Sequence, residues 1–266
     1  MGFQEPLLTV EGLTVVFQTK AGYLTANNGV SFSQTKGEWL AIMGPSGSGK
    51  SVLAKSISGI MTGVPGIVEG RILFRGNDLL AGCAQSVAVS RKGDRVVSVS
   101  KNVRKWNKRY AANMRTYARN QFSYVFQNPY DALNPYFPVK RHLREAFRAG
   151  KKGGDRPDDR SVELLASLQI ASPAETLKMY PHELSGGMAQ RVVIAMALAQ
   201  GTSVIIADEC TTSLDPSSAV STVEALQHAR KESGCSILFI THDVGIAETY
   251  SDRILRFGGG QFLTTS

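Results

Sequence analysis

The sequence predicts an α/β fold: a mainly parallel sheet with an antiparallel β subdomain at the amino end. Three observations predict it. Four short runs, "WLAIM" (39–43), "FSYVF" (122–126), "SVIIA" (203–207) and "SILFI" (236–240), are almost continuously apolar, as strands covered on both faces of a parallel sheet are. The amino end, 7–34, instead alternates in places ("LLTVEGLTVVF", "GVSFSQ"), as half-exposed antiparallel strands do. Each apolar run also stops abruptly at polar groups: "GPSGSGKS" after the first, Gln127 after the second, Asp208 and Glu209 after the third, Thr241 and His242 after the fourth. In open α/β sheets, ligands bind beyond the carboxyl ends of the strands.

In chain order, the first element that carries chemistry is "GPSGSGKS", Gly44 to Ser51. It fits G-x-x-x-x-G-K-[ST] at every fixed position, follows a buried strand and opens a helix, "SVLAKSISGI", the context a phosphate-binding loop requires. Gly44, Gly47 and Gly49 let the backbone turn so that several N–H groups face one anion. Pro45, Ser46 and Ser48 complete the loop. The helix N-terminus adds a favourable dipole. Lys50 is placed to reach the β- and γ-phosphates of a nucleotide, and the Ser51 hydroxyl to ligate Mg²⁺.

"IVEGRILF" (67–74) reads as another antiparallel strand. Residues 91–120 then hold ten of the chain's 30 Lys and Arg but one of its 22 Asp and Glu. The remaining residues carry 20 basic and 21 acidic groups, so the net charge of +8 is local. "VAVSRKGDRVVSVS" alternates around Lys92-Gly93-Asp94 as a β-hairpin does. "NVRKWNKRYAANMRTYARN" sets Trp106, Tyr110, Met114 and Tyr117 on one helical face, with basic residues elsewhere. The polar stretch 149–160, "AGKKGGDRPDDR", reads as a loop.

"ELSGGMAQRVVIAMALAQG" (183–201) reads as a helix capped by Ser185 and stopped by Gly201. Gly186 and Gly187 leave its first-turn N–H groups open, a second anion site. The glycine-rich loop already holds one set of phosphates, so this site is expected to close on the nucleotide of a different subunit. Asp208 is the natural second metal group, with Glu209 beside it to orient or deprotonate water.

Composition bounds these readings. With 42% hydrophobic and 20% charged residues the chain is ordinary for a globular protein. Cys83, Cys210 and Cys235 form no C-x-x-C pattern and no disulfide framework, which fits a reducing cytoplasmic setting. The start, "MGFQEPLLTV", lacks the pattern of a signal peptide, and Pro6 breaks a myristoylation motif. The longest apolar run, "VVIAMALA", is too short to span a bilayer.

"LSGGMAQR" resembles the signature of ABC-type ATPases. "GPSGSGKS", Gln127, "VIIADE", "SLD" (213–215) and "ITHD" (240–243) are similar to the family's other motifs in order and spacing. The resemblance covers about residues 7–263. It implies a P-loop NTPase core in a single domain, 1–266. Residues 7–127 and 203–263 would form the nucleotide-binding core with the β subdomain, 128–202 the helical signature subdomain, and 83–120 an insert. It implies two such subunits packed head to tail, with ATP between the loop of one and the signature of the other (Ser185, Gly186, Gly187, Met188, Gln190). Gln127 would sense Mg²⁺ and nucleotide, Glu209 polarise the attacking water, His242 contact the γ-phosphate and Asp215 communicate across the dimer. An aromatic residue stacks on adenine in this family; Phe17 is the first candidate and Tyr23 the second. One departure stands out: the family usually has Pro after the catalytic Glu, and here it is Cys210. Both carboxylates remain, so activity is expected to survive.

"QNPYDALNPYF" (127–137) and "YPHELSGGMAQRVVIAMALA" are similar to the ATPases of oligopeptide, dipeptide and nickel importers. That branch implies transmembrane permease subunits, a second ATPase subunit (a related chain or a second copy) and, indirectly, an extracytoplasmic solute-binding protein. It places the chain on the cytoplasmic face of the inner membrane. Many peptide-type members carry a longer carboxyl extension with cysteines, whereas this sequence ends "GGGQFLTTS", which keeps nickel or metal-chelate uptake open. The alternatives are an exporter ATPase, or a non-transport ABC protein whose basic insert binds nucleic acid. Such proteins commonly carry two ABC units or a long coiled-coil insertion; with neither here, nucleic acid is not the expected partner.

Overall fold

The computed structural model describes residues 5–93, 95–150 and 157–263. The chain forms two compact units. The first holds Met1–Lys36, Ile42–Arg119 and Arg253–Ser266, the second Gly37–Ala41 and Asn120–Asp252.

The first unit opens with β1 (Leu8–Thr19) and β2 (Gly22–Gln34), a hairpin in register from Leu8↔Gln34 to Thr19↔Gly22. β3 (Trp39–Met43) begins in the second unit and ends in the first, and all five of its residues are buried. After it come α1 (Lys50–Ser58), β4 (Pro65–Phe74) and β5 (Asn77–Asp78). β2, β1, β4 and β5 make one antiparallel sheet in that order. The alternation seen in the sequence has its cause here: Leu8, Val10, Leu13, Ile72 and Phe74 are buried, while Glu11, Gly70 and Arg71 are exposed.

The basic insert folds as hairpin and helix, β6 (Val87–Lys92), β7 (Arg95–Lys101) and α2 (Val103–Tyr117). Of the expected turn residues, Asp94 lies outside those described. The hairpin contributes Val96 to a small core with Val16 and Val68, flanked by Tyr23, Val87, Val89 and Val99. Asn102 caps α2 by accepting from Lys105 N at 3.0 Å. The aromatic stripe of α2 is a packing face. Trp106 is buried beneath the Lys101 ammonium, which sits 3.8 Å from its ring centroid. Tyr110 donates its hydroxyl to Ser56 O at the end of α1 (3.0 Å), and Met114 lies against Gly59. Tyr117, at the helix end, stays exposed.

The second unit begins with β8 (Phe122–Val125). Helices α3 (Val139–Ala149), α4 (Pro157–Ser167), α5 (Pro173–Thr176) and α6 (Gly186–Gln200) follow. The chain continues through β9 (Val204–Asp208), α7 (Pro216–Ser233), β10 (Ser236–Thr241) and α8 (Val244–Tyr250). Its strands stand in the order β3-β10-β9-β8, and the β10/β9 and β9/β8 pairs are parallel. The near-continuous apolar runs of β3, β9 and β10 are explained, because these strands are buried at every position. β8 departs from that expectation, since it stands at the sheet edge and only Val125 of its four residues is buried. One apolar cluster joins Trp39, Val125, Phe239 and Ile237 of these strands to Leu143, Phe147, Val192 and Leu226 of the helices. Of the stretch 149–160 expected as a loop, 151–156 lie outside the described residues. Pro157 onward is helix, begun by a proline that tolerates the first turn and by Asp158 and Asp159 at the positive end of its dipole.

The chain closes in the first unit with β11 (Arg253–Gly258) and β12 (Gln261–Phe262), an antiparallel pair in which Phe257 meets Phe262 edge-on. Among the described residues no helix is long and apolar enough to cross a membrane. The three cysteines are buried and free.

Candidate functional site

In the first unit the loop Gly44–Ser51 joins β3 to α1. Gly47 and Gly49 take φ of 74° and 103°, which an L side chain rarely adopts. Gly49 is also closely enclosed: a Cβ there would stand 2.2 Å from Ala26 O and 2.9 Å from Asn27 Nδ2. Gly44 is similar, with a Cβ falling 1.9 Å from Phe257 O. The loop is therefore a tight backbone cradle that only glycine completes at these two points. Gly49 caps α1 without any side-chain hydrogen bond, so the helix start is left to backbone geometry. Lys50 is 3% exposed and folds back to donate to Gly44 O (2.9 Å) and Pro45 O (2.8 Å). Asn27 of β2 donates to Gly49 O at 3.1 Å. Asn27 is a support the sequence did not flag, because only the approach of β2 to the loop gives it this role. Pro45, Ser46 and Gly47 are exposed, and Gly44, Ser48 and Ser51 half-buried.

Of the two candidates for adenine stacking, Tyr23 is packed among the valines beneath the hairpin insert and serves the core. Phe17 is half-buried, with its ring over Gly63, where a Cβ would stand 2.5 Å from Cε1.

The second unit carries the other expected groups. β9 ends in Asp208, which is 6% exposed and accepts from the Tyr124 hydroxyl at 2.5 Å. Tyr124 faces this carboxylate because β8 and β9 are parallel and in register, Tyr124↔Ile206 and Val125↔Ala207. Burial, then the Asp208 charge, hold the phenol far above its ordinary pKa, so it remains a donor. Removing it in Tyr124→Phe is expected to lower stability by about 1.5–3 kcal/mol, the worth of a hydrogen bond to a charged group, as read by denaturant unfolding. An unchanged midpoint would contradict this role.

Glu209 follows at φ 46°, an uncommon conformation for a non-glycine residue, with its N–H donating to Ile240 O at 2.9 Å. A proline at 210 would push residue 209 toward extended backbone; Cys210 lifts that restriction. Its thiol is buried and pushed up to about 12 by that burial, a packing group rather than a nucleophile.

Ser185 caps α6 as expected, its Oγ accepting from Met188 N at 3.2 Å. Gly187 is buried because Ser218 packs on it, and a Cβ would lie 3.0 Å from that Oγ; Gly186 is half-buried against Leu214. Gln190 departs from expectation. It is fully buried, and its amide donates to Phe126 O (3.0 Å) and Cys210 O (3.1 Å). It ties α6 to Phe126, just before Gln127, and to Cys210, just after Glu209. Gln127 is exposed just past β8, and its carbonyl accepts from Ser213 Oγ at 3.3 Å. Asp215 caps α7, and the donors of Ser217 and Ser218 hold its carboxyl well below the usual range. His242 is exposed at the end of β10, on the rim of a cavity of about 370 Å³ lined also by Thr211, Leu214 and Asp243.

Comparison with known proteins agrees with these motifs. The chain is 37% identical over 261 residues to the oligopeptide transport ATP-binding protein OppD of Bacillus subtilis (strain 168), covering 97% of this chain and 65% of that protein. It is 36% identical over 252 residues to the dipeptide transport ATP-binding protein DppD of the same strain, covering 94% of this chain and 67% of that protein. The chain thus spans about two thirds of the length of these curated relatives. The solved structure of cbiO1 from Clostridium perfringens, described as part of the ABC transporter complex cbiONQ, matches with a TM-score of 0.70 at 26% identity. That match covers 97% of this chain and 87% of that one. The family described as ABC transporter matches residues 27–212, and the chain belongs to it.

Proposed function

We propose that this chain is the ATP-binding and ATP-hydrolysing subunit of an inner-membrane importer for peptides or related small solutes, nickel among them. The observation that carries the reading is the glycine-enclosed cradle at Gly44–Ser51, opening α1 with Lys50 folded against it. Loops of this kind hold the phosphates of a nucleotide. The peptide-transport names of the relatives support the cargo class.

The family resemblance supplies the proposed roles, and the chemistry of each group is compatible with them. The loop amides and Lys50 bind and orient the β- and γ-phosphates. Phe17 stacks on the base. Glu209 accepts the proton of the attacking water, and His242 holds the γ-phosphate. Gly186 and Gly187 at the start of α6 receive the nucleotide of a second ATPase subunit, either another copy or a related chain, with Asp215 near the contact. The oxygen donors Ser51, Asp208 and Gln127 are of the kind Mg²⁺ takes, few in number because this ion keeps water and phosphate ligands. When bound, Mg²⁺ neutralises charge on the phosphates.

The chain then works on the cytoplasmic face of the membrane against permease subunits, with a solute-binding protein on the far side. Affinity purification from membranes, followed by identification of the co-purifying chains, tests this. Hydrophobic permease subunits are the expected result. Nucleic acid held in a salt-sensitive manner, without such subunits, would replace transport with the nucleic-acid reading.

A further inference from the structure

We propose that the outward face of α2 is an electrostatic docking surface for the anionic headgroups of a phospholipid bilayer. α2 carries Arg104, Lys105, Lys108, Arg109 and Arg115 and no acidic residue. At 100° per residue, Arg104, Lys105, Lys108 and Arg115 fall within an arc of about 100°, opposite Trp106, Tyr110 and Met114, and run about 16 Å along the axis. All four are exposed, and among the described residues no carboxylate pairs with any of them. Arg109 differs: its guanidinium lies over Gly82.

The face is also held in place. Trp106 is buried, Tyr110 is bonded to Ser56 O, and Asn113 donates to Leu79 O (3.1 Å) and Ala81 O (3.0 Å). The four charges are thus presented together on a fixed helix, in a chain whose remaining residues outside 91–120 carry 20 basic and 21 acidic groups. Concentrated cations of this sort gain from the surface potential of an anionic leaflet. Single-stranded nucleic acid is a poorer match, because Trp106 and Tyr110 pack inward and leave Tyr117 as the one exposed ring of α2 for bases to stack on. The presence of a bilayer near α2 rests on the transport reading.

Co-sedimentation of the purified full chain with vesicles tests the proposal. The chain should sediment with vesicles of equal parts phosphatidylglycerol and phosphatidylcholine, not with phosphatidylcholine alone, and added salt should release it. R104Q/K105Q/K108Q/R115Q should lower partitioning by about 100-fold or more. K20Q/R148Q/K178Q/K231Q removes the same charge from exposed sites elsewhere and should stay within about threefold of wild type. Both variants should unfold at the wild-type temperature. Equal losses in the two variants, no binding to the mixed vesicles, or tighter binding of duplex DNA through the same four residues would each overturn the proposal. The assay needs neither permease nor nucleotide, so its failure leaves the transport reading standing, and failure to find a permease leaves the vesicle result standing.

Discussion

Replacing Glu209 with Gln should leave MgATP bound and lower kcat for ATP hydrolysis by about 100- to 1,000-fold, the usual contribution of a positioned general base. Gln keeps the length and hydrogen-bonding shape of the side chain and removes only its basicity. The backbone beneath it is firmly held. Glu209 N donates to Ile240 O at 2.9 Å, Cys210 beside it is fully buried, and Cys210 O accepts from Gln190. The substitution therefore reports chemistry rather than a displaced loop. Steady-state phosphate release by the membrane-assembled protein is the measurement. A kcat within about threefold of wild type would move the base elsewhere.

Gly49→Ala should be almost as damaging, by another route. Alanine at φ 103° is strained by itself, at about 1–3 kcal/mol. Its Cβ would also meet Ala26 O at 2.2 Å and Asn27 Nδ2 at 2.9 Å. The close neighbour is backbone, so the loop must move rather than a side-chain tip, and Asn27 loses its hold on Gly49 O. The summed loss is expected near 3 kcal/mol. MgATP affinity should fall by about tenfold or more, the equivalent of one charge-assisted hydrogen bond. Thermal unfolding and nucleotide titration of the same preparation read both effects. Gly47→Ala is the useful contrast, because its φ is also positive but nothing lies within 4 Å of a Cβ there; it should lose less.

What the sequence made readable was local. The loop 44–51 announces itself because its three glycines, Lys50 and Ser51 fall within eight residues and their spacing is dictated by one anion. The strands 39–43, 204–208 and 236–241 are legible because burial on both faces leaves polar residues only at their ends, at Asp208, Ser236 and Thr241. Even the insert separates cleanly into a hairpin of period two and a helix whose aromatic residues fall on one side. What stayed hidden depends on register and packing between distant segments. Tyr124 meets Asp208 only because β8 lies parallel to β9 in one alignment. Gln190 sits inside a motif associated with nucleotide, yet its helical position turns it inward to two carbonyls. Tyr23 looks equivalent to Phe17 until the hairpin covers one face of the sheet. Polar composition also concealed the start of α4. There Asp158 forms ion pairs with Arg144 (2.8 Å) and Lys140 (2.7 Å) on α3, contacts no local pattern announces.

The most direct measurement is equilibrium binding of MgATP to the purified full chain, with Gly49→Ala alongside. Wild type should retain about one nucleotide per chain at saturation, displaced by ADP, and Gly49→Ala should bind about tenfold or more weakly. A wild-type chain that retains no nucleotide, or one whose affinity is untouched by Gly49→Ala, would contradict the placement of the phosphates in the cradle at Gly44–Ser51.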